Sequence, residues 1–134
     1  MKKWAFRLTT LILALCMIFT MSACGTSEDN GGTEYMKITA EEAKQIMDSE
    51  ANYIILDVRT DEEYAEGHIP NAILIPDYEI EEKAEAILTD KNQTILVYCR
   101  SGNRSKSASE ILVRLGYTDV REFGGINDWP YEIE

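Results

Sequence analysis

The sequence predicts an α/β domain built on a parallel sheet. Two runs, Tyr53-Ile54-Ile55-Leu56-Asp57-Val58 and Thr94-Ile95-Leu96-Val97-Tyr98, are continuously apolar and rich in β-branched residues, the pattern of strands covered on both faces. Amphipathic stretches with helix-start signals stand between and after them, so strand and helix alternate along the chain. The size agrees, since 134 residues hold one ordinary domain.

Each element has a local reason. Thr39-Ala40-Glu41-Glu42 is a capping box, with Thr at the N-cap and Glu at the third helical position, and Ala43, Ile46 and Met47 share a face beyond it. Thr60-Asp61-Glu62-Glu63 is a second such box, and Gly67 can close its short helix. Ala72-Ile73-Leu74-Ile75 reads as a strand stopped by Pro76, and Ile80, Ala84, Ile87 and Leu88 mark an amphipathic helix with an acidic outer face. Ser105 to Leu115 is predicted helical, with Ala108, Ile111, Leu112 and Leu115 inward and Gly116 as terminator. Asp119 to Phe123 forms a last strand before a Gly124-Gly125 turn.

The first residues form a separate object. Lys2, Lys3 and Arg7 precede an apolar run from Leu8 to Met21, which ends in Ser22-Ala23-Cys24. A basic start, a short apolar middle and small residues before a break describe an export signal, and the run is short of the roughly 20 residues a spanning helix prefers. The small-small-Cys ending resembles the lipobox of bacterial lipoproteins, although Met21 stands where that motif more often has Leu. The resemblance implies cleavage after residue 23, a lipidated Cys24, and attachment to the extracytoplasmic face of the cell membrane. An uncleaved anchor or an ordinary secretory signal are the alternatives. Residues 25–35 are Gly, Thr, Ser, Asn and acids ending in Tyr35, with almost nothing to pack, a flexible tether, and the folded domain is expected from 36 to 134.

Charge and cysteine content exclude several functions. With 13 Lys and Arg against 24 Asp and Glu the net charge is −11, which argues against a phosphate-tracking nucleic-acid surface. An acidic body is also repelled by anionic lipid, so membrane attachment would rest on acyl chains. Three cysteines, at 16, 24 and 99, make no disulfide framework. If Cys16 leaves with the signal and Cys24 carries lipid, Cys99 is the one remaining thiol.

Ligands of parallel sheets bind beyond the carboxyl ends of the strands. Cys99 is expected there, one residue after the strand that ends in Tyr98, opening Cys99-Arg100-Ser101-Gly102-Asn103-Arg104-Ser105 ahead of a helix. Gly102 permits a backbone turn that points successive N–H groups inward, and the helix N-terminus adds partial positive charge. Arg100 and Arg104 add two full charges. All three effects favour thiolate over thiol. A cysteine at a strand end can also be only a small buried apolar side chain, but this electropositive setting distinguishes it from an inert one.

The Cys-Arg-Ser-Gly-Asn-Arg-Ser loop resembles the active-site loop of single-domain rhodaneses, the thiosulfate sulfurtransferases. Leu56-Asp57-Val58-Arg59, Glu63-Tyr64 and Gly67-His68-Ile69-Pro70-Asn71-Ala72 resemble that family's first signature, and Phe123-Gly124-Gly125-Ile126-Asn127-Asp128-Trp129 its closing one. The likeness runs from Thr39 to Trp129. It implies a three-layer sandwich with a central parallel sheet and a catalytic Cys99. That cysteine would take a sulfane sulfur from a donor such as thiosulfate and pass it, as a persulfide, to cyanide, a thiol or a partner protein. It further implies that Arg100, Ser101, Gly102, Asn103 and Arg104 bind the anion, and that no metal or organic cofactor takes part. Asp57 and Arg59 would support the loop, or form a purely structural ion pair.

Two other readings stay open. Phosphatases and arsenate reductases on related folds place five residues between Cys and Arg, whereas four separate Cys99 from Arg104 here, and Tyr98 stands where they usually carry His. A non-enzymatic sulfur carrier would use the same cysteine. His68, the single histidine, lies in a Gly-His-Ile-Pro turn and reads as architectural, Trp129 as core or lid packing, and the carboxylates from Asp77 to Glu85 as a solvated helix face.

Overall fold

The computed structural model describes residues 34–134. The expected signal, Cys24 and most of the tether lie outside the described residues. Five parallel strands form one sheet: β1 (Met36–Lys37), β2 (Tyr53–Asp57), β3 (Ile73–Leu74), β4 (Thr94–Cys99) and β5 (Val120–Gly125), in the order β1-β5-β4-β2-β3. Four α-helices connect them: α1 (Ala40–Ser49), α2 (Asp61–Glu66), α3 (Ile80–Ile87) and α4 (Asn103–Arg114). Single turns of 3₁₀ helix follow β3 and β5, at Asp77–Glu79 and Ile126–Asp128.

Both capping boxes form. Thr39 Oγ1 accepts from Glu42 N at 3.1 Å while Glu42 Oε2 accepts from Thr39 N at 2.7 Å, and Thr60 and Glu63 repeat the exchange at 3.3 and 3.2 Å. The boundaries differ from expectation at five places, one of them in β5, which starts at Val120 and runs on through Gly124 and Gly125 where a turn was expected. β4 runs on to include Cys99, which pairs with Gly125, so the cysteine ends the strand rather than following it. α4 begins two residues early, at Asn103. β3 keeps only Ile73 and Leu74 of its expected four residues, although Ile75 N still donates to the Asp57 carbonyl at 3.0 Å. The two-residue edge strand β1 was not expected at all, being too short for any periodicity.

Alternation along β4 divides the core into two layers. Ile95, Val97 and Cys99 face α3 and α4, packing with Leu56, Val58, Ile80, Ala84, Ala108 and Leu112. Leu96 and Tyr98 face the other way, with Ala43 of α1, Ile55, Ile69, Phe123 and Trp129. All six residues of β4 are buried, as its unbroken apolar run requires. The carboxyl ends of β2, β4 and β5 meet at one edge, and Cys99 lies there.

Candidate active site around Cys99

Cys99 ends the central strand and is 1% exposed. Backbone packing fixes the turn that follows. A Cβ on Gly125 would fall 2.1 Å from the Arg100 carbonyl oxygen, so only glycine lets the loop rest against β5. That carbonyl accepts from Asn127 N at 3.2 Å. Gly102, at φ +100°, then turns the chain into α4 through the left-handed region and donates its N–H to Cys99 Sγ at 3.0 Å.

Burial pushes the Cys99 thiol up, but the Ser105 hydroxyl and the N–H groups of Ser105, Gly102 and Ser101 outweigh it, leaving the thiol below its ordinary value. These three N–H groups belong to the turn and the first residues of α4, where backbone donors lack helical partners. Three backbone donors, of Ser101, Gly102 and Ser105, thus point at the sulfur. The expected pair of free guanidinium charges is not present. Arg104 is gripped by Glu63, Nη1 to Oε2 at 2.7 Å and Nη2 to Oε1 at 2.9 Å, so most of its charge is spent on a carboxylate. Arg100, Ser101 and Asn103 are exposed at the loop's rim.

Asp57 and Arg59 form a separate buried knot. Arg59 holds Asp57 through Nε and Nη2 at 2.6–3.0 Å and reaches the Gly67 carbonyl at 2.8 Å. Tyr98 donates to Asp57 Oδ2 at 2.6 Å and accepts from Ile69 N at 3.1 Å. This ties β2 to β4 and to the turn before β3, on the face opposite Cys99. Tyr98 hydroxyl ionisation is driven up, first by burial and then by Asp57. His68 stacks on Tyr64 with ring centroids 3.7 Å apart, and Trp129 is buried in the α1 layer.

Three residues beside the loop were not singled out from sequence. Ser105 Oγ lies 3.5 Å from Cys99 Sγ, Glu122 accepts from Ser105 at 2.6 Å, and Glu63, in the sequence a helix cap and part of the first signature, holds Arg104. Ser105 ends the quoted motif and could have been found, whereas the other two act across long sequence gaps.

Residues 39–131 match the Rhodanese-like domain family. The chain belongs to the rhodanese family. It is 44% identical over 73 residues to thiosulfate sulfurtransferase PspE of Escherichia coli strain K12, covering 54% of this chain and 70% of that one. Thiosulfate sulfurtransferase GlpE of Coxiella burnetii is 33% identical over 96 residues, 71% of this chain and 87% of the relative. Among solved structures, a rhodanese with anions from E. coli is similar at a TM-score of 0.58 and 39% identity, covering 61% of this chain and 96% of that one. The parallel sheet flanked by helices is the rhodanese fold, as the sequence predicted.

Proposed function

We propose that this sulfurtransferase works through Cys99 and a persulfide. The thiolate attacks the outer sulfur of thiosulfate or a similar anionic donor, the S–S bond of the donor breaks, and sulfite leaves with the bonding pair. The persulfide anion then rests among the N–H groups of Ser101, Gly102 and Ser105. A nucleophile, cyanide or a thiol, takes the outer sulfur and returns Cys99 as thiolate. The observation that carries this reading is the Gly102 N–H at 3.0 Å from Sγ, in a ring that holds the sulfur below its ordinary pKa. Because the residue is 1% exposed, a donor must shift the rim of Arg100, Ser101 and Asn103 to reach it. Intact-mass analysis after thiosulfate treatment tests the proposal: a one-sulfur increment on the Cys99 peptide, absent in Cys99→Ser, is expected, and no increment refutes it.

The phosphatase reading is weaker on geometry as well as loop length. Arg104, the arginine nearest the place a phosphate-binding guanidinium has in the longer loop, is held by the Glu63 carboxylate. We further propose that the protein is exported and anchored outside the cytoplasm by lipid on Cys24. Lys2, Lys3 and Arg7, the apolar run to Met21, the Ser22-Ala23-Cys24 ending and the polar stretch beyond it support this. With no second thiol expected in the mature domain, turnover then depends on an external thiol or a partner protein.

A further inference from the structure

Glu122 is wholly buried within β5, and the sulfur-transfer steps above make no use of it. Its Oε1 accepts from the Ser105 hydroxyl at 2.6 Å and from Gly124 N at 2.9 Å, both neutral groups. Its Oε2 has no hydrogen-bond partner. Val97 of β4 and Lys37 of β1 flank it in register, and Lys37 is exposed, with no ion pair to Glu122 among the described residues. Titratable groups on this side include Cys99, reached through Ser105, Lys106 and Glu110 of the adjacent α4, and Tyr35, whose hydroxyl ionisation is raised by burial and then by Glu122 and Glu110.

Ser105 Oγ cannot satisfy its surroundings with one proton. It faces Glu122 Oε1 at 2.6 Å, the Gly102 and Gly124 carbonyls at 3.1 and 3.3 Å, and Cys99 Sγ at 3.5 Å. A serine hydroxyl has one proton and two lone pairs. If that proton goes to a Glu122 carboxylate, the sulfur keeps its own and donates S–H to Oγ. If Ser105 is to donate to a thiolate, Glu122 must hold a proton and donate it to Oγ.

We propose that Glu122 is the proton partner of Cys99. The thiol proton passes to Ser105 Oγ as the Ser105 proton passes to Glu122 Oε1. One negative charge moves from carboxylate to sulfur, no proton reaches solvent, and nothing is oxidised or reduced. Glu122 does not touch the sulfur; it is a positioning residue that acts through Ser105. The buried site then never holds two charges during activation, since carboxylate and thiolate share one. The inference rests on Cys99 being the nucleophile.

A proton shared by two groups makes the reactivity of one depend on pH in two steps, which gives the test its signature. Alkylation of Cys99 by iodoacetamide, followed across pH by mass spectrometry of its peptide in the full chain, is expected to rise in acid, hold a plateau through neutrality, and rise again in alkali. In Glu122→Gln the plateau is lost and a single rise remains. A single rise in the wild-type chain, or a plateau that survives Glu122→Gln, overturns the proposal. Should that variant not fold, the wild-type chain suffices. The two-step profile must itself appear in that chain, and its absence overturns the proposal. Failure of sulfur uptake from thiosulfate would refute the transferase reading while leaving the alkylation profile to judge this one.

Discussion

Glu63 holds Arg104 across 41 residues of sequence through two parallel hydrogen bonds, at 2.7 and 2.9 Å, at the entrance of the loop that carries Cys99. The same carboxylate closes the capping box of α2 on Thr60. One side chain therefore fixes both the start of a helix and the guanidinium beside the Cys99 loop.

The pair makes stability depend on acid. Arg104 holds the Glu63 carboxyl down to about 2 against the opposing effect of burial, whereas its ordinary value is 4.5. A depressed carboxylate contributes fully above its unfolded pKa and loses its contribution as pH falls through the folded one. Glu63→Gln should cost about 1–2 kcal/mol at neutral pH, after allowance for solvent screening. The gap to wild type should close between about 4.5 and about 2. Urea denaturation across that range checks it; a gap that stays constant down to the lower limit would sink the assignment.

The capping boxes, the two-faced strands and the cysteine loop were legible because each is set by neighbours in sequence. Thr39 and Glu42 need only one helical turn to meet, and Ile95 to Tyr98 declare their burial by composition alone. Glu63 with Arg104, and Ser105 with Glu122, meet only after the sheet has assembled. Arg104 was consequently read as a free charge. The position of Cys99 inside β4 was missed for a similar reason, since its pairing with Gly125 follows a register shift after Val97. That shift belongs to two strands, and neither sequence shows it alone.

Asp57→Asn should be among the most damaging single substitutions. Arg59 is 5% exposed and has no other carboxylate among its hydrogen-bond partners in the described residues, so the change strands a buried cation and alters the acceptor of the Tyr98 hydroxyl. Removing one partner of a buried pair costs about 3–5 kcal/mol. The double variant Asp57→Asn, Arg59→Leu removes the stranded charge and should recover part of that loss. Melting temperatures decide: if the double variant is no more stable than the single one, burial of Arg59 is not the cause.

Gly125→Ala probes the loop without touching the sulfur. The added Cβ would meet the Arg100 carbonyl carbon at 2.4 Å and Ser101 N at 2.6 Å as well as the oxygen, all backbone atoms that no rotamer change can relieve. The turn must move, and with it the N–H groups of Ser101 and Gly102. A displacement near 1 Å at a reacting centre can cost about 100-fold in rate. Sulfur uptake should fall by roughly that factor while circular dichroism still reports the α/β fold; near wild-type uptake would contradict the packing.

Arg100 and Arg104 should separate in function although both flank Cys99. Arg104 is committed to Glu63 and half-buried, so Arg104→Ala removes a clamp and leaves Glu63 at the loop's entrance without its cation. Its main effect should be on stability, about 1–2 kcal/mol. Arg100 is exposed at the rim and free of that clamp, so its charge acts on anions approaching from solvent. Arg100→Ala should raise KM for thiosulfate several-fold, leave the melting temperature nearly unchanged, and weaken the dependence of kcat/KM on ionic strength. Steady-state kinetics at low and high salt, paired with thermal denaturation of both variants, resolve the two roles. If Arg104→Ala raised KM with no loss of stability while Arg100→Ala changed neither, the donor would be guided by Arg104 despite its ion pair, and the division of labour drawn from the Glu63 contact would be wrong.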